Sequence, residues 1–260
     1  MEYKTLLYTE ADRVATITLN RPEKRNAISY ELIDDVTAAL KQAAASEALV
    51  VILTGAGSSF CAGMDLDNLK QLLGRTPEQN LKDSETMAGL FRALYDFPKP
   101  TIAAVNGPAI AGGTGLATLC DFTLAVPEAK FGYTEVRIGF VPGIVSSYLV
   151  AVVGEKRARD LLLTGRIFGA EEALRLGLVT EIVPPDHLLP RAHSLAAELL
   201  QNSPNSLRAT KALLSSYTKE QLDRQLKTAI AENAAVRQTP DFKEGITSFL
   251  EKRKPTWTQR

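Results

Sequence analysis

Two histidines, two cysteines, three methionines and one tryptophan are all that 260 residues hold of the types most often recruited as metal ligands, redox groups or aromatic anchors. With Cys61 and Cys120 alone, a disulfide framework is excluded, and a reducing, cytoplasmic compartment is the expectation. His187 and His193 follow Pro184-Pro185 with no cysteine pair near them, so no metal site is expected. Charge of one sign is also lacking, since 30 Lys and Arg face 30 Asp and Glu. A nucleic acid is therefore not an expected partner. No apolar run reaches the roughly 18 residues of a membrane helix. The apolar stretch from Val141 to Val153 is broken by Gly143, Ser146 and Ser147, so no membrane association is expected. Met1 to Thr9 shows neither a basic start followed by an apolar run nor an arginine-rich presequence.

What is present is enough apolar material, 45% of residues, to bury one large domain or a domain with a small appendage. Val14 to Leu19 alternates as a strand does. Ser29 precedes Leu32, Ile33, Val36, Leu40 and Ala43 at helical spacing. Leu49 to Leu53 and Thr101 to Val105 read as strands buried on both faces. Thr76-Pro77-Glu78-Gln79 offers a cap, a proline and a capping-box partner for a helix that Phe97-Pro98-Lys99-Pro100 stops. A short helix is expected around Leu116 to Leu119 and a strand from Phe122 to Val126. Strands alternating with helices predict an α/β fold. After Pro184-Pro185 the chain reads as almost pure helix, with starts at Ser203-Pro204 and Thr239-Pro240. The expected division is residues 1–195 as core and 196–260 as a helical region, either a cover over the core or an oligomerisation surface.

Two segments share one pattern of buried strand, small residues and helix start: Leu53 to Leu66 and Val105 to Leu116. Small residues let a ligand approach the backbone, and a helix start leaves unpaired N–H groups aimed outward. Two such groups meeting one oxygen make an oxyanion hole, although turns of this kind more often serve tight packing than catalysis. Gly113-Thr114-Gly115 lacks the third glycine of a dinucleotide fingerprint. No Gly-Lys-Ser/Thr marks a P-loop, and neither Gly57-Ser58-Ser59 nor Gly143-Ile144-Val145-Ser146 completes a nucleophile elbow. Cys61 has no histidine at hand and reads as a small packed residue.

"FCAGMDL" (Phe60 to Leu66), "VNGPAIAGGTGLATLCD" (Val105 to Asp121), "FGYTEVRIGFVPG" (Phe131 to Gly143) and "LLLTGRIFGAEEALRLGLV" (Leu161 to Val179) resemble the crotonase (enoyl-CoA hydratase/isomerase) family. So do "NRPEKRNAIS" (Asn20 to Ser29) and "FLEKRKP" (Phe249 to Pro255). The resemblance, which is to bacterial enoyl-CoA hydratases in particular, spans essentially the whole chain. It implies a spiral of strand–strand–helix turns with a C-terminal helical trimerisation region, assembled as a homotrimer or a hexamer of paired trimers. It also implies an acyl-CoA substrate and no separate cofactor, coenzyme A being part of the substrate.

By the same resemblance, the backbone N–H groups of Met64 and Gly112 hold the thioester carbonyl, and Glu135 is the general acid/base. Ala62, Met64, Asp65, Leu66 and Asp67 flank pantetheine and substrate, and Arg25 and Ala27 sit near the adenine. Asp65 also reads as a helix cap. Lys252 resembles a lysine that reaches the CoA phosphate from a neighbouring subunit, or else it complements the end of the last helix. Gly115 departs from the hydratase pattern, which has a second glutamate there. The implied reaction is reversible hydration of a 2-enoyl-CoA. The alternative is migration of the double bond from the 3- to the 2-position with one glutamate, and a noncatalytic acyl-CoA binder is a further reading. Asp67, Glu85 or Tyr133 could assist. The tract from Asp67 to Leu90 is expected to line the acyl pocket.

Overall fold

The structure, a computed structural model, describes residues 2–258. In chain order its elements are β1 (Leu6–Ala11), β2 (Val14–Leu19), α1 (Tyr30–Ala45), β3 (Val50–Gly55), α2 (Leu66–Leu72), α3 (Pro77–Tyr95) and β4 (Thr101–Val105). There follow β5 (Ala109–Ile110), α4 (Gly112–Thr118), β6 (Phe122–Ala125), β7 (Lys130–Gly132), α5 (Gly143–Val153) and α6 (Glu155–Thr164). The last are β8 (Phe168–Gly169), α7 (Ala170–Arg175), β9 (Glu181–Ile182), α8 (Leu188–Leu200), α9 (Pro204–Ala235) and α10 (Pro240–Leu250).

The chain opens with a hairpin, β1 antiparallel to β2, turned by Asp12 and Arg13, both at positive φ as a two-residue hairpin requires. From β2 onward the main sheet is parallel, in the order β1-β2-β3-β4-β6-β9. All of β4, and all of β3 but its last residue, is buried, because helices cover both faces. A second sheet, β5-β7-β8, runs beside it. The chain passes from a strand of the first sheet to one of the second and then into a helix: β4 to β5 to α4, then β6 to β7 to a 3-10 turn at Glu135–Ile138 and α5. This is the expected α/β spiral, and it repeatedly delivers a helix start to the same edge.

The helix signals act as read. Ser29 Oγ accepts from Leu32 N at 3.1 Å, and Leu32, Ile33, Val36, Leu40 and Ala43 form the buried stripe of α1. Thr76 and Gln79 close a capping box on α3, with Pro77 in its first turn. The expected short helix at Leu116–Leu119 instead starts four residues earlier, at Gly112. Glycine's poor helix propensity hid this start. Gly113 is needed there because a Cβ on it would lie 2.1 Å from the Cys61 carbonyl oxygen.

The expected division at 195/196 falls inside α8, whose buried Leu188, Ala192 and Ala196 face the main sheet. The break in the chain comes later, between α8 and α9. The 32-residue α9 packs on α3 and α5, and α10 packs on α2 and on the Glu135–Ile138 turn. Among the described residues no helix is long and apolar enough to cross a membrane.

Candidate active site

The two Gly-rich segments lie side by side. Cys61 bridges Ala109, Ile110 N donates to Cys61 O at 2.9 Å, and Phe60 N and Cys61 N both donate to Pro108 O. A Cβ on Gly63 would come within 3.0 Å of Ile110 O and 3.2 Å of Ala111 Cβ. These contacts set Met64 and Gly112, the next residues along each segment, next to each other. Gly112 opens α4, so no earlier turn can accept its N–H. Neither it nor the Met64 N–H donates within the described residues. Ala111 turns the second segment with φ 51° and ψ −121°, a conformation normally left to glycine. Backbone strain of this kind gathers at sites whose surroundings over-determine it. Beneath the first segment, buried Asn26 donates to Ala56 O (2.9 Å) and Ser59 O (2.8 Å) and accepts from Arg21 N.

Asp65 closes this segment by capping α2, accepting from Asp67 N at 2.9 Å and from Arg21 at 2.8 Å. Burial opposes its ionisation, but these two donors outweigh it and hold the carboxyl below its ordinary range. Asp65 thus acts as a charged anchor. Cys61 is fully buried, and burial pushes its thiol up to about 12, so it is a packed residue and not a thiolate.

Glu135 begins the 3-10 turn after β7, where Thr134 hands the chain from the second sheet toward α5. It is 9% exposed, and its Oε2 has no partner among the described residues. Burial pushes its carboxyl up to about 7, against a weaker opposing bond to its own backbone. A carboxyl balanced near neutrality can both take and return a proton.

One cavity of about 800 Å³ joins these pieces. Arg25, Ala27, Ala62, Met64, Asp65, Leu66, Gly112, Glu135 and Lys252 all border it. Asp67 does not: its side chain is exposed and pairs with Lys24 at 3.2 Å. Lys252 borders the cavity from just past the end of α10, with Arg253 beside it. The expected acyl-lining tract contributes Leu69 and Met87, but Glu85 is exposed and Tyr133 is buried against Thr118. Phe91, Val145 and Arg237 also border the cavity and were not singled out from the sequence. Phe91 and Val145 explain Gly115: a Cβ there would meet Val145 Cγ1 at 2.8 Å and Phe91 Cε1 at 3.2 Å. These two side chains hold the space that a second carboxylate would use. Among the described residues no cluster of His, Cys, Asp and Glu has the makings of a metal site.

A spiral fold that brings two unpaired backbone N–H groups and a protonatable carboxyl to one cavity is a crotonase-type arrangement. The chain belongs to the enoyl-CoA hydratase/isomerase family, whose family model matches residues 9–260. It is 47% identical over 251 residues to a Thermus thermophilus protein provisionally named as an enoyl-CoA hydratase, covering 96% of this chain and 99% of that protein. It is 34% identical to the crotonyl-CoA hydratase of Syntrophomonas wolfei, each chain covered completely. Among solved structures, an enoyl-CoA hydratase/isomerase from Xanthobacter autotrophicus superposes with a TM-score of 0.90 at 31% identity, over 96% of this chain and 94% of the other.

Proposed function

We propose that the protein is an enoyl-CoA hydratase, adding water reversibly across the double bond of a 2-enoyl-CoA. The observation that supports this most is Glu135, buried, protonatable near neutral pH and facing the cavity that Met64 and Gly112 also border. The two N–H groups take the thioester oxygen and strengthen their hold as it becomes an enolate, which lowers the barrier and not merely the binding energy. Ionised Glu135 draws a proton from water as the oxygen attacks the β-carbon, then returns it to the α-carbon. At the mouth, the cations of Lys24, Arg25, Lys252 and Arg253 suit the phosphates of coenzyme A. The names of the relatives agree with this reading.

One observation favours a second reaction. Gly115, closed off by Val145 and Phe91, leaves a single carboxylate, which suits a proton shuttle between the α- and γ-carbons of a 3-enoyl-CoA. A paired steady-state assay decides. Loss of conjugated-thioester absorbance from crotonyl-CoA, abolished by Glu135→Gln, is the expected result. Gain of that absorbance from a 3-enoyl-CoA, with crotonyl-CoA untouched, overturns hydration in favour of isomerisation.

We also assign a trimer, or a hexamer of paired trimers, to the assembled enzyme. Leu213, Leu214 and Tyr217, at 53%, 60% and 71% exposure on one stretch of α9, support it.

A further inference from the structure

Met87 and Phe91 are the α3 residues on the cavity wall. Phe91 lies against the Gly112 end, its Cζ 3.6 Å from where a Cβ of Gly112 would be. Met87 follows one turn away on the cavity, and Ser84 and Asp83, one turn further on the same side, are buried and do not border it. Seven residues separate Phe91 from Ser84, about 10 Å along the helix. Beyond Met87 the cavity wall is taken over by Asn233 and Arg237, with Ser84 and Asp83 buried behind them.

At the far end stands Arg237, 3% exposed and bordering the cavity. Its guanidinium donates to Asp83 at 2.5 Å, to Ser84 Oγ at 3.1 Å and to Asn233 Oδ1 at 2.8 Å. It lies 5.2 Å from the centre of the Phe140 ring. Asn233 is held in turn, its amide donating to Val141 O at 3.0 Å and its oxygen accepting from Ser84. The guanidinium is therefore fixed on three sides, yet its Nε–H is buried with no partner among the described residues. Asp83 must also serve Arg75, at 2.7 Å, and the Tyr30 hydroxyl. One carboxylate faces two guanidinium groups, and the cluster retains one positive charge.

A tie between α3 and α9 needs none of this. An apolar pair would join the helices without desolvating an ion pair, and a purely structural arginine would not strand a buried donor. We propose that Arg237 is the specificity-determining residue of the acyl cavity, and that it selects thioesters whose acyl chain ends, away from coenzyme A, in a carboxylate. This deepens the acyl-CoA reading above and rests on it. A carboxylate oxygen would accept from Nε–H and balance the unmatched charge, while a methyl end would leave both as they are.

The test uses saturated thioesters, so that it reads the cavity independently of the reaction. The full chain is titrated calorimetrically with adipoyl-CoA against hexanoyl-CoA, and with suberoyl-CoA against octanoyl-CoA. We expect the carboxylate-ended member to bind at least about tenfold tighter at one of the two lengths, as one charge-assisted hydrogen bond allows. Arg237→Met should abolish that preference, and Arg237→Lys should keep part of it. Equal or tighter binding of the methyl-ended member at both lengths in the unmodified chain overturns the proposal, and needs no variant to fold. A preference that survives unchanged in a folded Arg237→Met protein also overturns it, since cations at the mouth would then be responsible. If no thioester binds at all, the acyl-CoA reading fails and this inference with it. Binding without turnover of any enoyl-CoA leaves specificity standing and removes only the assigned reaction.

Discussion

At the scale of single residues, Glu135 ties activity and stability to the same proton. Its carboxyl titrates near 7 when folded and near 4.5 otherwise, so between those values the folded chain holds a proton that the unfolded chain has lost. Stability therefore falls as pH rises through that window, and the whole penalty is present above it. Glu135→Gln should raise the unfolding free energy at pH 8 by up to about 3 kcal/mol while changing it little at pH 4, measured by urea denaturation. The same variant should lose at least about 100-fold in kcat. In the parent enzyme, kcat/KM should climb with pH, pass half its maximum near 7 and level off roughly a unit higher, because the ionised form starts the reaction.

Ala111 gives a second test at this scale. Its left-handed turn aims the Gly112 N–H, and strain of this kind costs about 1–3 kcal/mol. Ala111→Gly should gain up to about 1 kcal/mol in denaturation and keep activity. Ala111→Val should lose both, because a β-branched side chain resists positive φ more strongly. Asn26 acts through the backbone it holds. Asn26→Ala leaves the carbonyls of Ala56 and Ser59 without their donor, and should cost about 2–4 kcal/mol in denaturation.

At the scale of elements, local chemistry was legible where it is written within a few residues. Ser29, Thr76-Pro77-Gln79 and Thr239-Pro240 announced α1, α3 and α10, and each caps as its side chain allows. The two Gly-rich turns were visible as a pattern, but only the resemblance distinguished catalysis from packing. What stayed hidden depends on residues far apart in the chain. Asp83 and Arg237 meet across 154 positions. A signal did exist: Asn80, Ser84, Met87 and Phe91 recur at helical spacing, so the polar members stand on the inward stripe of α3. The start of α4 was misjudged for a related reason, since glycine's propensity is local while the close approach of Cys61 is not.

At the scale of the whole molecule, the long α9 faces two ways. Its inner side, with Leu222, Leu226 and Asn233, seals the core and the far wall of the cavity. Its outer side leaves Leu213, Leu214 and Tyr217 in solvent. If these three join copies of the chain, the double variant Leu214→Glu/Tyr217→Glu should elute as a monomer in size-exclusion chromatography with light scattering. The parent should elute as a trimer or hexamer, and an unchanged mass in the variant would locate the contact elsewhere.

Two glycines fasten α10 to the turn that carries the Glu135 carboxyl. A Cβ on Gly139 would lie 2.3 Å from Asp241 O, and one on Gly245 would lie 2.2 Å from Ile138 O, so backbone meets backbone with nothing compressible between. Helix α10 and residues 135–140 are thus held together backbone to backbone. Any outward displacement of α10 would carry the Glu135 turn with it. Amide hydrogen exchange should register this as a shared clock: Phe140 and Phe242, 102 positions apart in sequence, should open to solvent with the same free energy.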